Sequence, residues 1–330
     1  MQLVQTTATN QIATTEPKPL TQIEVISIRS EFADLLSDNI KNNTKRSYRN
    51  ALTNTTKTGF LDISEKYGIN YIEYPIKAVL NFIEVMLDNG KSINTIKIRI
   101  AAIYKAYDAI GIYHVRKEPL IKEAVKSAKN KASDMQVEAK QAKAIEFDEF
   151  KDIIRSIDAS TNKGKRDKAI LLIGMYCGLR RSEIVGLKKD NVLFKDGKLK
   201  ITLKNTKTDK ERKGQDVFIE SASNKKYCAI LALTDWLNVT KDCESVFTSI
   251  NRYDNVSCKP LTSDAIGKLV KKHLGTEFSG HSLRVSIVCI LAKLGFTIEQ
   301  ISRITRHKDA RMITHYAKQV KGFENTLSFV

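Results

Sequence analysis

Glycine, proline and cysteine are all scarce in this chain of 330 residues, which has 15 glycines, 5 prolines and 5 cysteines. Average usage is about 7% for glycine and about 5% for proline, so few positions here break a helix and a mainly helical protein is expected. Collagen-like, low-complexity and disulfide-scaffold classes are excluded. A chain of this length is typical of two domains, each large enough to bury its own core.

The cysteines are also too scattered to suggest a shared site. They form no C-x-x-C pair and have no histidine at ligand spacing, so neither a zinc site nor a disulfide framework is expected, and their odd number is typical of a reducing compartment. The five positions are Cys177, Cys228, Cys243, Cys258 and Cys289.

Long apolar runs are missing as well. The first residues lack a basic segment followed by an apolar one, and the longest apolar run, around Ala169 to Leu179, is too short to span a bilayer. We therefore expect a soluble, cytoplasmic protein with no membrane partner.

Positive charge, in contrast, is abundant. The chain has 55 Lys and Arg against 37 Asp and Glu, a formal net charge of +18. Such an excess on a folded chain predicts a polyanionic partner such as nucleic acid, although a Lys-rich proteome would produce the same number.

The pattern of apolar residues divides the chain into four parts. Residues 1–20 are polar and predict a flexible arm; residues 21–128 predict a bundle of four or five basic amphipathic helices. Residues 129–144 resemble a linker rich in Lys and small residues, and residues 145–330 predict a second domain that mixes helices with a few strands.

A small antiparallel sheet is predicted within the second domain. The β-prone runs Val192 to Phe194 and Leu199 to Leu203 flank Asp196-Gly197, a strong hairpin signal, and Val217 to Ile219 follows after a polar tip. Helices are then expected from Tyr227 to Leu237 and in four further segments. The predicted fold class is mainly α with a small antiparallel β-sheet.

Two pairs of polar residues could bind one phosphate. Arg180 and Glu183 lie three residues apart just after Gly178, and His281 and Arg284 have the same spacing, which places each pair on one face of a helix. The planar fork of an arginine suits phosphate oxygens. Taken alone, a pair such as Arg180 and Glu183 is usually a solvated ion pair, and a pair such as His281 and Arg284 is usually a surface or capping pair.

The order and spacing of these residues together resemble the tyrosine recombinase (phage integrase) family, in a simple, Cre-like two-domain form. The matching motifs are G-L-R-x-S-E at 178–183, K-T at 207–208, H-x-L-R at 281–284, then His307 and Tyr316 at intervals of 23 and 9 residues. The segments NTKRSYRNAL and GKSINTIKIRIAAIYKAY look like two helices of that family's SAM-like core-binding domain.

The resemblance implies a chemistry for the last of these residues. Tyr316 would attack a scissile DNA phosphate, giving a 3′-phosphotyrosyl link and a free 5′-hydroxyl, with no need of ATP, metal or another cofactor. Arg180 and Arg284 would clamp the nonbridging oxygens, and Lys207 would protonate the leaving 5′-oxygen.

The same resemblance assigns supporting roles. His281 would act as base or hydrogen-bond partner of the tyrosine, His307 would orient the phosphate, and Glu183 would hold Arg180 or His281 in place.

Three positions near these motifs need separate comment. The family usually has glycine before its second histidine, whereas this chain has Arg306, so either the local turn differs or an added cation faces DNA. Val285, where histidine is frequent in the family, is expected to be a tolerated change in the core. His315 beside Tyr316 is expected to be a neighbour on the helix face.

The resemblance also implies partners: double-stranded DNA with an inverted-repeat target site, two synapsed sites held by a homotetramer, and a Holliday junction intermediate. Phe323, Leu327 and Phe329 after Tyr316 form an apolar stripe that would dock on a neighbouring protomer or, alternatively, on its own domain. A nucleoid-associated protein of a prokaryotic mobile element fits this description.

Five basic residues on the helices of the first domain are candidates for DNA contact. They would either read base edges or bind phosphates. They are Lys45, Arg46, Arg49, Lys97 and Arg99.

Two other functions stay open at this point. A catalytically silent DNA-binding relative would be expected to have lost at least one of the matching groups, and all are present. A type IB topoisomerase shares the chemistry but lacks site specificity; the core-binding resemblance and the apolar tail favour recombination.

Overall fold

The computed structural model describes residues 42–134, 142–204, 214–307 and 309–317. The contacts between residues divide the chain into two compact units, Met1–Lys140 and Gln141–Val330. The predicted arm, Lys207 and the apolar tail lie outside the described residues.

The described part of the first unit consists of helices and the turns that connect them. Helices usually begin where a side chain satisfies a free backbone N–H, and Ser92 accepts such a bond from Thr95 N at the start of the fourth helix. Phe60 lies at the centre of the core, in edge-to-face contact with Tyr71, Phe82 and Tyr107. The helices are α1 Asn42–Leu52, α2 Phe60–Lys66, α3 Pro75–Asp88, α4 Ile93–Ala109, α5 His114–Lys117 and α6 Pro119–Asp134.

The linker prediction began too early in the chain. Helix α6 continues to Asp134, so residues 129–134 are helical and not part of a linker. Ala128 and Ala132 are both buried, because their small side chains fit against the core of the first unit. The lysines around them had suggested solvent-exposed chain, but they occupy the outer face of the same helix.

The second unit combines helices with short strands around a separate core. Its helices are α7 Phe147–Ser156, α8 Asn162–Tyr176, α9 Arg181–Val185, α10 Ala229–Val239, α11 Ser263–Leu274, α12 Ser282–Lys293, α13 Ile298–Thr305 and α14 Ala310–Ala317. Its strands are β1 Val192–Lys195, β2 Lys198–Leu203, β3 Gln215–Glu220, β4 Thr248–Ile250 and β5 Val256–Pro260. The predicted fold class, mainly α with a small antiparallel sheet, is confirmed.

The predicted hairpin is present. Strands β1 and β2 pair antiparallel through Phe194 and Leu199, and β3 pairs antiparallel with β2. The turn residues Asp196 and Gly197 have φ angles of 51° and 71°, the left-handed conformation that a two-residue hairpin turn of this type requires. The sheet therefore forms as the Asp-Gly signal predicts.

A second, two-stranded sheet was not predicted. Strands β4 and β5 pair antiparallel with an irregularity after Thr248, and both are short and largely polar, so they lack the alternation that indicates a strand. Pairing brings Cys258 on β5 next to Cys243 after α10, with their Cα atoms 5.0 Å apart, and the two form a disulfide. The spacing of the cysteines along the chain gave no sign of this disulfide, because only the fold brings these two residues together.

Helix α8 lies at the centre of the second unit. Its residues from Ala169 to Met175 are buried, and it packs against α10 and α12. None of the helices in the described ranges is both long and apolar enough to cross a membrane.

Candidate active site

The site is built around the end of helix α8. Gly178 follows that helix with a φ of 53°, which turns the chain so that Arg180 becomes the N-cap of α9. A Cβ on Gly178 would lie 3.3 Å from the Cγ2 of Ile287 on α12. Both the left-handed conformation and the close approach favour glycine here.

Glu183 fixes Arg180 from the first turn of α9. Its Oε2 accepts a hydrogen bond from the backbone N of Arg180 at 2.9 Å, and its Oε1 accepts one from Arg180 Nη1 at 2.5 Å. The Glu183 side chain is buried. The structure thus brings the two residues together as their spacing predicts, with Arg180 as the cap of the helix.

Arg284 lies in the first turn of α12 and is 1% exposed. Its Nη1 donates to the carbonyl oxygen of Gly178 at 2.6 Å, and its Nε donates to His307 Nε2 at 3.3 Å. Its Nη2 is buried and has no hydrogen-bond partner among the described residues. Burial, and then the charges of Arg180 and Arg306, lower the pKa of Arg284 to about 9. A buried cation with an unused donor is a place where an anion would be stabilised.

His307 is held as the neutral ring. Its Nδ1 lies 2.6 Å from the Oγ1 of Thr305, whose hydroxyl also lies 2.6 Å from the carbonyl oxygen of Ile301. Since that hydroxyl donates to the carbonyl, it accepts from Nδ1–H, and Nε2 is left to accept from Arg284. Burial, and then the charges of Arg284 and Arg180, lower the pKa of His307 to about 3.

Tyr316 on α14 faces His281 at the start of α12. Its hydroxyl oxygen lies 3.4 Å from His281 Nε2. Burial, followed by the charges of Arg284, Arg180 and Arg181, lowers the pKa of His281, so the ring is neutral at pH 7 and can accept a proton. Burial raises the pKa of Tyr316 while the charge of Arg284 opposes it.

Six of the seven residues predicted for the site are therefore close together. Hydrogen bonds or electrostatic interactions connect Arg180, Glu183, His281, Arg284, His307 and Tyr316. The seventh, Lys207, lies outside the described residues. In the described ranges, no three His, Cys, Asp or Glu side chains come together as a metal ion would require.

One interpretation of the sequence was that Arg306 adds a cation that faces DNA. The structure instead directs its side chain into the protein. Its backbone is left-handed, with φ 57° and ψ 42°, and its side chain is 6% exposed. Its guanidinium donates to the carbonyl oxygens of Cys177 and Gly178 at 2.9 Å and 3.2 Å, and to Glu183 Oε2 at 3.4 Å. The sequence signal for this role was an arginine where the family has glycine.

The structure also places the remaining neighbours. Val285 is fully buried, as expected for a residue of the core. The exposed ring of His315 contacts that of Tyr316 edge-on, with centroids 5.7 Å apart. Thr305 was missed because a lone threonine carries no signal until its histidine partner is known.

The basic candidates of the first unit lie on α1 and α4, which pack against each other. Arg46, Arg49 and Lys97 are exposed, and Lys45 is half-buried. Arg99 differs, because its Nη1 donates to the carbonyl oxygen of Thr58 at 2.9 Å and burial lowers its pKa.

One known protein family matches most of the second unit. The sequence profile of the phage integrase family matches residues 143–322, more than half of the chain. The chain belongs to the phage integrase family. The prediction that it is a tyrosine recombinase is thus confirmed, and the matched range includes each predicted residue of the active site.

Individual relatives extend the similarity to both units. An integrase/recombinase xerD homolog of Selenomonas ruminantium is 24% identical over 324 residues, which cover 91% of this chain and 94% of the relative. Transposase A from transposon Tn554 of Staphylococcus aureus is 24% identical over 75% of this chain and 66% of its own length.

Solved structures share the fold of this phage integrase family member at low identity. A lambda integrase dimer bound to a COC′ core site has a TM-score of 0.58 at 14% identity, covering 92% of this chain and 99% of that one. The XerH site-specific recombinase bound to difH substrate has a TM-score of 0.55 at 16% identity, covering 89% and 92%.

Proposed function

We propose that this protein is a site-specific DNA recombinase that cuts and rejoins DNA through a 3′-phosphotyrosyl intermediate. The observation that carries the proposal is the 3.4 Å approach of the Tyr316 hydroxyl to His281 Nε2, beside the buried Arg284. Catalytic hydrogen bonds are often long before substrate binds, so this distance is compatible with His281 acting as the base in the protein without DNA. Family membership supports the same chemistry.

The cleavage step is a transesterification. The Tyr316 oxygen attacks the phosphorus and its proton passes to His281 Nε2, while the bond from phosphorus to the 5′-oxygen breaks. The leaving oxygen takes a proton from a general acid, for which Lys207 is the candidate. Because one phosphoester replaces another, the reverse attack by a 5′-hydroxyl rejoins a strand without an energy source.

The arginines supply the electrostatic part of catalysis. Negative charge on the nonbridging oxygens grows in the transition state, and Arg180 and Arg284 are held where they can offset it. The unused Nη2 of Arg284 is a donor for one such oxygen. His307, neutral and fixed by Thr305, positions that guanidinium from its other side.

DNA and other copies of the chain are the proposed partners. The exposed Arg46, Arg49 and Lys97 would bind phosphates or base edges of a target site with inverted repeats. Recombination between two such sites requires a tetramer and proceeds through a Holliday junction.

An exposed apolar segment is the proposed binding site for the C-terminal tail of a neighbouring protomer. Leu294, Phe296 and Ile298 lie within five consecutive residues and are 68%, 37% and 40% exposed. The apolar stripe of Phe323, Leu327 and Phe329 in a neighbouring protomer would cover them. Sedimentation of the DNA complex with and without residues 318–330 tests this, since loss of the tail should leave dimers on single sites.

A nicked duplex tests the chemistry. The target is first selected by the protein from a random DNA pool, and a nick close to the scissile phosphate then traps the cut strand on the protein. Wild-type protein and the control Tyr253→Phe, at an exposed tyrosine, should form the adduct, whereas Tyr316→Phe should form none. Equal adduct from Tyr316→Phe rejects the nucleophile, and relaxation of plasmids without a target site would favour a type IB topoisomerase.

A further inference from the structure

We propose that Arg306 is a positioning residue that holds Arg180 and Arg284 in a fixed relation to each other. The inference rests on the proposed function, because that function assigns Arg180 and Arg284 to the scissile phosphate. Arg306 would act through the acceptors that it shares with them and would not touch DNA.

The backbone of Arg306 indicates that its side chain matters. The residue ends helix α13 in the left-handed conformation, with φ 57° and ψ 42°, where any residue with a Cβ is disfavoured relative to glycine. Glycine would therefore be the favoured residue for the turn alone. An arginine at this position needs compensating contacts from its side chain.

Those contacts are internal. The side chain is 6% exposed and reaches back to the end of α8, where Nη1 donates to Cys177 O and Nη2 donates to Gly178 O. Nη2 also lies 3.4 Å from Glu183 Oε2. Both terminal nitrogens of Arg306 therefore donate to acceptors of the protein, whereas Nη2 of Arg284 is unused within the described ranges.

Each of two acceptors is shared with a proposed catalytic arginine. The carbonyl oxygen of Gly178 accepts from Arg306 and also from Arg284 Nη1. The Glu183 carboxylate accepts from Arg306 at Oε2 and from Arg180 Nη1 at Oε1. Arg306 thus links the two arginines through one carbonyl and one carboxylate, and the carboxylate oxygen that it contacts also accepts from the backbone N of Arg180.

The test compares cleavage with DNA binding. Arg306→Gly removes the side chain while easing the backbone, and Arg306→Lys keeps the charge but loses the planar fork. Arg303→Ala, an exposed arginine on the same helix that pairs with Glu299, is the matched control. Rates of adduct formation are measured at saturating protein on the nicked duplex, and Kd is measured across a salt series.

We expect Arg306→Gly to slow cleavage about 10- to 100-fold, with Kd within about twofold of wild type and an unchanged salt slope. Arg306→Lys should recover part of the rate, and Arg303→Ala should cleave at the wild-type rate. If Arg306→Gly does not fold, the cleavage rate and Kd of Arg306→Lys are compared with those of the wild type instead. Arg306→Lys should still cleave more slowly than wild type.

A double-mutant cycle with Glu183→Gln separates positioning from general stability. Because part of the effect of Arg306 passes through the carboxylate, Arg306→Gly should slow cleavage less in the Glu183→Gln background than in the wild-type background. Three results would each overturn the inference: cleavage by Arg306→Gly at the wild-type rate, rate effects of Arg306→Gly and Glu183→Gln that multiply in full, or weaker DNA binding by Arg306→Gly with a lower salt slope. The proposed function would still stand in each case, provided that the wild-type protein forms its adduct on Tyr316. Wild-type protein that forms no Tyr316 adduct would overturn both.

Discussion

Arg284 donates a 2.6 Å hydrogen bond from Nη1 to the carbonyl oxygen of Gly178, 106 residues earlier in the chain. The bond joins the first turn of α12 to the end of α8, and it orients a guanidinium whose Nη2 has no partner in the described parts of the chain. The geometry of the site therefore depends on a backbone oxygen, whose position depends in turn on the left-handed conformation of Gly178.

Substitution of Gly178 should damage both the fold and the site. Gly178→Ala forces a Cβ into a left-handed residue and to 3.3 Å from Ile287 Cγ2. Gly197→Ala is the matched control, because Gly197 is also left-handed but would place its Cβ in open space. We expect each to lower the free energy of unfolding by about 1–2 kcal/mol from the backbone, with a further loss at position 178.

Cleavage distinguishes the two glycine variants further. Only Gly178→Ala should slow adduct formation, since only it moves the carbonyl oxygen that holds Arg284. Denaturant unfolding and single-turnover cleavage measure both effects, and equal losses in the two variants would contradict this account of Gly178.

Removal of the Thr305 hydroxyl should slow the reaction without unfolding the protein. Thr305→Val keeps the branched shape but leaves His307 Nδ1 without its partner, so the ring can present N–H towards Arg284 instead of a lone pair. A loss of about 1–2 kcal/mol in the transition state corresponds to a cleavage rate about 5- to 30-fold lower.

Thr234→Val provides the comparison for that experiment. Thr234 makes the same bond to a carbonyl one turn earlier, that of Ile230, and has no role in the site. It should cleave normally. Equal rates for Thr305→Val and wild type would show that the tautomer of His307 is not set by Thr305.

The acid limb of the cleavage rate should lie below pH 6.5. Burial, then Arg284, Arg180 and Arg181, lowers the pKa of His281 below its ordinary 6.5, so the neutral base persists to lower pH. Arg181→Gln removes one of the opposing charges; the pKa of His281 should then rise, and the limb should move to higher pH. A pH profile at saturating protein measures this, and a shift to lower pH would contradict His281 as the base.

Reduction of the disulfide should destabilise the second unit. Cys243 and Cys258 close a loop of 15 residues, and the chain-entropy argument gives about 3 kcal/mol for a loop of that size. Denaturant unfolding with and without reductant measures the difference. Alkylation of denatured protein without reductant should label the three free cysteines, and labelling of all five would show that the bond is absent.

Much of the fold was predictable because it rests on local signals. Asp196-Gly197 specified its hairpin through backbone conformations that few other residue pairs adopt. Strands β4 and β5 gave no such signal, being short and polar, and the Cys243–Cys258 pairing follows only once those strands form. The extension of α6 to Asp134 was missed because two exposed lysines, Lys129 and Lys131, precede Ala132, the small residue that the extension buries.

The site was predictable from spacing, and its supporting contacts were not. The order of Arg180, His281, Arg284 and Tyr316 matches a family pattern that no single pair would reveal. The direction of the Arg306 side chain depends on how α13 ends against α8, which is a tertiary contact. An arginine in a glycine position left open either a different turn or an added cation facing DNA, and the fold instead directs the side chain inward.

The most direct test of the central claim identifies the bond between protein and DNA. Adduct from the nicked duplex is digested with a protease and the DNA-linked peptide is sequenced by mass spectrometry, while the released strand is tested for a free 5′-hydroxyl by phosphorylation with a kinase. The account predicts DNA attached to Tyr316 through a 3′-phosphate, with a 5′-hydroxyl that accepts label. DNA attached to another residue, or a link through a 5′-phosphate, would contradict it.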